Sequence, residues 1–356
     1  MHDLHVALGG KMVEFAGWSL PVHYPAGIMA EHRHCRTAAS LFDVSHMGQL
    51  MVHGAGAAAA LEALVPGNIA GLAPDRLRYT LLTNQQGGVL DDLIAGPAPE
   101  GLYVVVNAAC RDADLAHLRA SLEPEHRVEE LERGLLALQG PEAAAVIARF
   151  APAAAELRFM QVIELEVAGC RCRIARSGYT GEDGFEISLA AGETEPVAQA
   201  LLDQAEVEPA GLGARDSLRL EAGLCLYGHE LTPETTPIEA GLAWTIGKRR
   251  REQGGFPGAE VIAREISEGP ARKLVGIRPD GRTPAREGTP IQDADGHGIG
   301  TVTSGGFGPT VGGPIAMGYV ARAHAEPGMP LILIVRDKPQ PAKVAALPFV
   351  PHRYQR

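Results

Sequence analysis

The chain has few aromatic residues, few cysteines and no long apolar segment. Its five cysteines, among 356 residues, are scattered and odd in number, which argues against a disulfide framework. No apolar stretch reaches the roughly 20 residues that a transmembrane helix needs, and the N-terminus "MHDLHVALGGKMVEF" has neither a signal-peptide core nor an Arg- and Ser-rich transit pattern. We therefore expect a cytoplasmic protein with reduced cysteines and no membrane partner.

Positive charge is also scarce. The formal net charge is −11, so the chain lacks the positive field that general nucleic-acid binding or binding to anionic membranes requires. The only basic run is "GKRRRE", which includes Lys248 to Arg251. We interpret this run as a solvated surface stretch, and the alternative is local binding of an anion or of a partner protein.

Familiar cofactor and metal signatures are absent. The glycine-rich "GHGIGTVTSGGFGP" is neither a G-x-G-x-x-G turn nor a phosphate loop, and the chain contains no G-x-S-x-G and no H-E-x-x-H. "GCRCRI" holds a C-x-C without a second Cys/His pair, which favours small buried side chains over a zinc site. His32, His34 and His46 lack ligand spacing, so we predict surface or packing roles for them and no metal site.

What the chain does have is a mixture of helical and strand patterns. "LRYTLLTNQQGGVLDDLIAG" predicts a hairpin and "GLYVVVNAA" a third strand, followed by a helix at "RDADLAHLRASL". "LLALQ" predicts a buried strand, and "FMQVIELEVAGCRCRIARSGYTGEDGFEISLA" predicts three more. From about residue 273 short β runs are separated by Gly and Pro, which predicts a C-terminal β-barrel or sandwich. The fold class is therefore α+β, with two or three domains.

The segment "GGVLDDLIAG" places Asp91 and Asp92 side by side in a predicted strand. Asp is depleted from strands, and successive side chains of a strand point to opposite faces. The two carboxylates therefore cannot share one solvated face. At least one of them lies either at a hairpin edge in water or in a pocket.

Three other segments combine turn residues with charge: "GYTGEDGFEIS", "GARDSLRLEAG" and the terminal "PFVPHRYQR". Each has a purely structural interpretation. Asp183 would tie a turn, Glu186 would lie on a solvated strand face, Arg215 would pair with a helix acid and Tyr354 would pack the tail. Taken singly, none of them indicates a function.

Taken together and in order, these segments closely resemble the T-protein family of the glycine cleavage system, the tetrahydrofolate-dependent aminomethyltransferases. The resemblance covers nearly the whole chain. It rests on blocks that include "KMVEFAGWSLPVHY", "SLFDVSHMGQ", "GGVLDDLI", "LLALQGP", "GYTGEDGFEIS", "GLGARDSLRLEAGLCLYG", "TPIEAGLAWTIGKRRR", "GTVTSGG", "AMGYV" and "PFVPHRY".

The resemblance implies a three-domain cloverleaf around a central folate site. The first domain would combine residues 1–47 and 136–225, the second 48–135 and 226–272, and the third, a small β-barrel, would span 273–356. It also implies the reaction, in which the aminomethyl group on the dihydrolipoyl arm of the H-protein gives its methylene to tetrahydrofolate. Ammonia is released and 5,10-methylenetetrahydrofolate forms.

The resemblance further implies that Asp92 is the catalytic carboxylate and Asp91 its outward or structural neighbour. A carboxylate beside the reacting pterin nitrogens stabilises the positive charge that they gain, an effect commonly worth about 100-fold in rate. An Asp with the ordinary pKa of about 3.9 is a weak base at neutral pH. We therefore expect Asp92 to act through orientation and electrostatics rather than full proton abstraction.

Ligand-binding residues also follow from the resemblance. Glu186 is expected to accept hydrogen bonds from the pterin amino group and ring N–H. Arg215 is expected to face the carboxylate-bearing end of the folate. Pocket-lining positions are assigned to Tyr354, Asn107, Met47, Trp244 and Tyr179, and Asp183 is expected to help shape the pocket wall.

Two rival functions are compatible with the same fold. One is another folate enzyme, such as a demethylase acting on a small methylated amine or sulfonium compound. The other is a folate-binding protein without transfer activity. The intact Asp92 and the full series of blocks disfavour the second, and the absence of a fused flavin domain disfavours amine-oxidising versions of the first.

Overall fold

The structure is a computed structural model that describes residues 1–356. Its short helices alternate with strands along the chain, which confirms the predicted α+β class. None of the helices is both long and apolar enough to span a membrane. The helices are α1 (His2–Ala7), α2 (Ile28–Thr37), α3 (Ala57–Glu62), α4 (Arg111–Leu122), α5 (Ala143–Ala148), α6 (Pro152–Ala155), α7 (Thr194–Leu202), α8 (Leu212–Glu221), α9 (Lys248–Gln253) and α10 (Ala259–Glu268).

The strands form one hairpin, two larger sheets and a closed barrel. They are β1 (Lys11–Phe15), β2 (Trp18–His23), β3 (Ala39–Asp43), β4 (Gly48–His53), β5 (Arg78–Thr83), β6 (Val89–Ala98), β7 (Gly101–Val106), β8 (Val128–Glu130), β9 (Arg133–Gln139), β10 (Val162–Val167), β11 (Cys170–Ala175), β12 (Gly184–Ala190), β13 (Val207–Pro209), β14 (Arg272–Pro279), β15 (Pro290–Gln292), β16 (Gly298–Gly308), β17 (Gly313–Ala321), β18 (Pro330–Val335) and β19 (Lys338–Ala345).

The six-stranded sheet has the order β10-β11-β12-β9-β3-β13. All its pairs are antiparallel except β13 with β3. β9 lies near its centre and is buried on both faces, which explains why "LLALQ" is apolar without alternation. Leu138 and Phe185 pack against Val146 of α5 and Val197 of α7 in the largest core cluster.

The five-stranded sheet, in the order β5-β6-β7-β4-β8, lies between β3 and β9 in the sequence. The predicted hairpin, third strand and following helix are all confirmed as β5, β6, β7 and α4. Leu93 of β6 and Val104 of β7 form a core with Leu118 of α4. The chain thus leaves the six-stranded sheet after β3 and returns to it at Arg133, where β9 begins. The predicted domain division between residues 135 and 136 stays a prediction.

The C-terminal strands close into a six-stranded barrel, β14-β17-β16-β15-β18-β19. This confirms the β-barrel predicted from the short runs after residue 273. Closure pairs every strand on both sides, so that the barrel leaves no free edge. Ile277, Ile291 and Leu333 are fully buried in its centre.

Candidate active site

The two adjacent aspartates lie on opposite faces of β6. Asp91 is fully buried on the face that also carries the buried Leu93, whereas Asp92 is half-buried on the other face, opposite Leu81 of β5. The expectation that Asp91 points outward is therefore wrong, and its role as a structural neighbour is the one that the burial supports. Neither carboxylate lies at a solvated hairpin edge.

The turn before β6 explains why the glycines precede this pair. Gly87 has φ +80°, and a Cβ at Gly88 would lie 1.8 Å from the carbonyl oxygen of Pro233. Val89 then donates its N–H to the carbonyls of Thr232 and Thr235. Only glycine allows this close approach, which holds the start of β6 against the 232–235 loop and so sets the faces of the strand.

Asn107, immediately after β7, bridges the two carboxylates. Its side-chain amide donates to Asp91 Oδ1 and to Asp92 Oδ1, both at 2.8 Å, and its backbone N–H donates to Asp91 Oδ2 at 3.0 Å. The structure therefore brings the predicted Asn107 into direct contact with Asp92. Because one amide serves both acids, the orientation of Asp92 depends on Asp91.

The environment of Asp92 raises its pKa from the ordinary value to about 7. Burial is the main cause and the charge of Asp91 the second, while hydrogen bonds from Tyr79 and Asn107 offset part of the effect. The sequence-based expectation of an ordinary carboxyl pKa is thus wrong. A group with a pKa near 7 is half protonated at neutral pH and can accept and return a proton.

Tyr79 was missed by the sequence analysis. It lies on β5 in "LRYTLLT", two residues before Leu81, so the alternation of the strand puts it on the same face as Asp92. Its ring stacks on the predicted Trp244, with centroids 5.7 Å apart and 20° between the planes. Trp244 is 62% exposed, which leaves much of its surface open to a ligand.

Arg215, in α8, lies over the ring of Tyr179 with its guanidinium carbon 4.8 Å from the centroid. The Tyr179 hydroxyl donates to the carbonyl of Cys225. Arg215 Nη1 is buried and has no hydrogen-bond partner. A buried cationic N–H without an acceptor is costly, so this group fits a site that receives an anionic or carbonyl oxygen from a ligand.

Glu186 lies on β12 and is half-buried. It accepts a 2.6 Å hydrogen bond from Ser177 Oγ, a residue that the sequence analysis also missed. Burial lowers the pKa of Arg215, and the charge of Glu186 opposes this and favours the cationic form. Glu186 and Arg215 are thus close enough to interact, although they come from a strand and a helix 29 residues apart.

The remaining predicted pocket residues lie at different distances from this centre. Met47 is half-buried and packs against the same core cluster as Val105 of β7, which is two residues before Asn107. Tyr354 stacks on Phe159 with ring centroids 4.1 Å apart. The backbone N–H of the preceding residue, Arg353, donates to the carbonyl of Gly181 and holds Tyr354 near the 177–183 loop. The charged groups that act on Tyr354 are Arg36, Arg356 and Glu182, and not Asp92, Glu186 or Arg215.

Asp183 has the structural role that was its simpler interpretation. Its carboxylate forms a two-point ion pair with Arg176, at 2.9 Å from Nε and 2.5 Å from Nη2. This pair closes the "GYTGEDG" loop between β11 and β12. The loop in turn carries Tyr179, so that Asp183 supports the site from behind.

The basic run lies mostly at the surface, but its arginines also have partners within the fold. It forms α9, in which Arg249 pairs with Glu62 at 2.5 Å and Arg250 is buried and donates to three backbone carbonyls. Arg251 donates to the carbonyls of Ala243 and Ile246. Lys248, Arg249 and Arg251 are exposed, which agrees with the surface interpretation for most of the run, whereas Arg250 is buried; binding of an anion or a partner protein by this run stays a prediction.

The histidines and the C-x-C have packing roles. His32 is fully buried and contacts Ser217, Glu221 and Thr310. Cys172 is buried in the core of the six-stranded sheet and its neighbour Cys170 is half-buried. One group of three potential metal ligands lies on an exposed turn, Asp293, Asp295 and His297, where Asp293 already accepts two backbone N–H groups.

The site thus gathers side chains from both larger sheets and from α8. Comparison with known proteins gives the same description for both parts of the chain. A family model described as the GCVT N-terminal domain matches residues 1–250, and one described as the glycine cleavage T-protein C-terminal barrel domain matches residues 272–351.

Individual relatives match along the full length. The mitochondrial aminomethyltransferase of Gallus gallus is 49% identical over 361 residues, which are 99% of this chain and 92% of the relative. That of Flaveria trinervia is 46% identical over 366 residues, 99% of this chain and 89% of the relative. The crystal structure of the glycine cleavage system aminomethyltransferase T from Bartonella henselae is 45% identical and superposes with a TM-score of 0.94, covering 100% of this chain and 98% of that one.

Proposed function

The chain belongs to the glycine cleavage T-protein family, and on that premise we propose that the cluster around Asp92 is its catalytic and folate-binding site. The activity is that of an aminomethyltransferase with tetrahydrofolate as the one-carbon acceptor. The observation that carries the assignment is the placement of Asp92, whose carboxylate Asn107 fixes at 2.8 Å on the face of β6 opposite the buried Asp91, and its raised pKa of about 7 supports it.

Atom balance shows why such a carboxylate is useful. Tetrahydrofolate loses the protons of two nitrogens when the methylene is bound between them. The leaving amine gains one proton to become ammonia, and the sulfur of the dihydrolipoyl arm gains the other. Asp92 accepts a proton from the attacking nitrogen and returns one to a leaving group. A pKa near neutrality allows both steps, because the ionised and the protonated forms are then both populated at neutral pH.

This role goes beyond the orientation and electrostatics expected from the sequence. The ionised form of Asp92 still stabilises positive charge on the attacking nitrogen before the proton moves. Asn107 holds the carboxylate in place for both steps. Each contribution requires the carboxylate to be fixed in advance, and the bridging amide of Asn107 supplies that.

Folate recognition is assigned to the groups around this carboxylate. Glu186 offers acceptors to the pterin amino group and ring N–H. Arg215, whose Nη1 lacks a partner, donates to the carboxylate-bearing end. Tyr79 and Trp244 provide an aromatic face for a planar ligand. Met47 and Tyr179 line the pocket, and Tyr354 does so only if the terminal segment turns toward the ligand.

The donor is the aminomethylated lipoyl arm of the H-protein, and this partner is part of the proposal. We assign three domains to the chain. The first combines residues 1–47 and 136–225, the second combines 48–135 and 226–272, and the third spans 273–356. A cytoplasmic location also remains a proposal. The relatives from Gallus gallus and Flaveria trinervia carry the name mitochondrial, and fractionation of the source cells decides between the two.

The decisive experiment measures ammonia release from aminomethylated H-protein with and without tetrahydrofolate. We expect a strong acceleration by tetrahydrofolate and one methylenetetrahydrofolate formed per ammonia released. Small methylated amines and sulfonium compounds serve as alternative donors in parallel reactions. Methylene transfer from these donors, with none from H-protein, would instead make the protein a demethylase.

A further inference from the structure

A second buried carboxyl group lies directly behind the pair on β6. Asp114, in the first turn of α4, is 3% exposed and hydrogen-bonds Asp91, which is 0% exposed. One carboxyl oxygen of Asp114, Oδ2, has no hydrogen-bond partner. Two carboxyl groups in contact cannot both remain ionised without water, so they share one proton.

The donors around the pair decide which acid holds the proton. Asp91 accepts from the backbone and side-chain N–H groups of Asn107. Asp114 has no such donors, and burial together with Asp91 raises its pKa to about 9. The positive end of α4 favours an ionised Asp114, but this is a smaller effect than burial beside a like charge. Asp91 therefore carries the charge and Asp114 the proton.

The nearest phenols and thiols around the three acids are neutral at pH 7, and the charged groups beyond them are Arg215, Arg219 and Glu230, next to Tyr179, and Glu234, next to Tyr227. The phenols and thiols come from β5, from the start of α4, from the 177–183 loop and from the segment after α8, and they are Tyr79, Cys110, Tyr179, Cys225 and Tyr227. Burial raises the pKa of each of these phenols and thiols. Among the charges inside the protein, that of Asp91 has the largest effect on the pKa of Asp92.

We propose that Asp91 and Asp114 are a positioning pair for the reaction, in which Asp114 keeps the proton, Asp91 keeps the charge, and that charge makes Asp92 a proton acceptor at neutral pH. Neither residue touches the substrate, because Asp91 lies on the core face of β6 and Asp114 lies behind it. The effect passes to Asp92 through space and through the shared amide of Asn107. The inference rests on the proposed function, since it requires Asp92 to be the proton acceptor.

The test compares Asp91→Asn, Asp114→Asn and Asp92→Asn in the full-length protein. The first readout is the pH profile of single-turnover ammonia release. Removing the charge of residue 91 should move the acidic limb to lower pH by about one unit. Asp114→Asn retains a neutral donor toward Asp91 and should leave the acidic limb in place. An Asp91→Asn limb at the wild-type pH would overturn the proposal, because a purely structural role lowers the rate without moving the limb.

The second readout is infrared difference spectroscopy of the protonated carboxyl band in the folate-free protein, which does not depend on activity or on the folding of Asp91→Asn. Above about pH 8, where Asp92 with its pKa of about 7 is mostly ionised, wild type should retain one such band until the pH nears the Asp114 pKa of about 9, and Asp114→Asn should lose it. No Asp114-dependent band at pH 8 would overturn the proposal.

The third variant separates this inference from the proposed function. Wild-type turnover in Asp92→Asn would reject the role of Asp92 and with it the proposed function. Asp92→Asn could instead lose turnover while the acidic limb of the Asp91→Asn pH profile stays at the wild-type pH. That result would reject only the positioning pair.

Discussion

Two buried carboxylate clusters of this molecule behave in opposite ways. Glu221, at the end of α8, is fully buried and accepts from His32 at 3.0 Å, from Arg36 at 3.2 Å and from the backbone N–H groups of Thr310 and Val311. Although burial opposes ionisation, these partners lower its pKa to about 2. Asp92 has fewer donors and a second carboxylate behind it, and its pKa rises to about 7.

The difference separates a structural carboxylate from a chemical one. Glu221 joins α2, α8 and the loop between β16 and β17 of the barrel, and a fully satisfied acid serves that purpose because it stays charged at every working pH. In the proposed reaction Asp92 exchanges a proton, which agrees with the neutral donor that its carboxylate has in Asn107. The distribution of donors, more than the depth of burial, decides which role a buried acid takes.

The largest expected effect is on stability at Glu221. Glu221→Gln removes the charge that Arg36 and His32 face in a buried setting, and breaking a buried pair in this way costs about 3 to 5 kcal/mol. Urea unfolding measures the loss, with Glu166→Gln as a control at an exposed position on β10. Equal stability of the two variants would contradict the structural role of Glu221.

The next effect is on turnover at Asp92. Asp92→Asn should keep the fold and most folate binding while lowering turnover by roughly 100-fold or more, because the amide neither carries the charge nor accepts the proton. Asp91→Asn should lose much less. Ammonia release under saturating tetrahydrofolate measures both, and equal losses in the two variants would contradict the assignment of their roles.

Arg215→Ala should weaken folate binding by about 1.5 to 3 kcal/mol, the range for a hydrogen bond to a charged group. Longer polyglutamates should be affected at least as much, since the lost contact is to an anion. Titration of folate binding measures the change, and Arg171→Ala, on a side chain that is 79% exposed, is the control. Unchanged affinity in Arg215→Ala would reject the contact.

A smaller effect, of opposite sign to that at Glu221, is expected at Asp114. The folded protein holds this proton up to about pH 9, whereas an unfolded Asp loses it near pH 3.9, so stability falls as pH rises between these values. Asp114→Asn should remove that slope and raise stability at pH 7 by on the order of 2 kcal/mol. By contrast, the stability due to Glu221 is present above about pH 4.3 and is lost as pH falls toward 2.

Unfolding of wild type and Asp114→Asn at several pH values between about 5 and 8 checks the slope. The same pH dependence in both proteins would mean that Asp114 is not the acid that holds the proton. Glu221→Gln measured over the same range should keep the wild-type slope, since Glu221 is ionised throughout it in both states.

The order of strands and the placement of the aspartate pair were predictable from local pattern. Alternation along "VLDDLI" requires opposite faces for Asp91 and Asp92, and the hairpin with its third strand follows from turn residues and β-rich runs. Tyr79 was also within reach, because pairing the two strands of the hairpin puts it on the face of Asp92. The barrel followed from its short, Gly-bounded runs.

The rest depends on contacts between segments far apart in the sequence. Asp114 appears to a sequence analysis as an ordinary acid in the first turn of a helix, and only the packing of α4 on β6 brings it to Asp91. Arg249 to Arg251 form a basic run typical of surfaces, yet their partners are carbonyls and a carboxylate supplied by α3 and the segment before α9. The pKa of Asp92 likewise results from burial that no local pattern reveals.

The central claim, that Asp92 exchanges a proton near neutral pH, is tested most directly by the pH dependence of single-turnover ammonia release with enzyme in excess and tetrahydrofolate saturating. The account predicts a rate that falls on the acidic side with a midpoint near pH 7, the pKa of Asp92, and a residual rate without this limb in Asp92→Asn. A wild-type rate that stays constant from about pH 5 to about pH 8 would contradict it, because a carboxylate of ordinary pKa would then suffice.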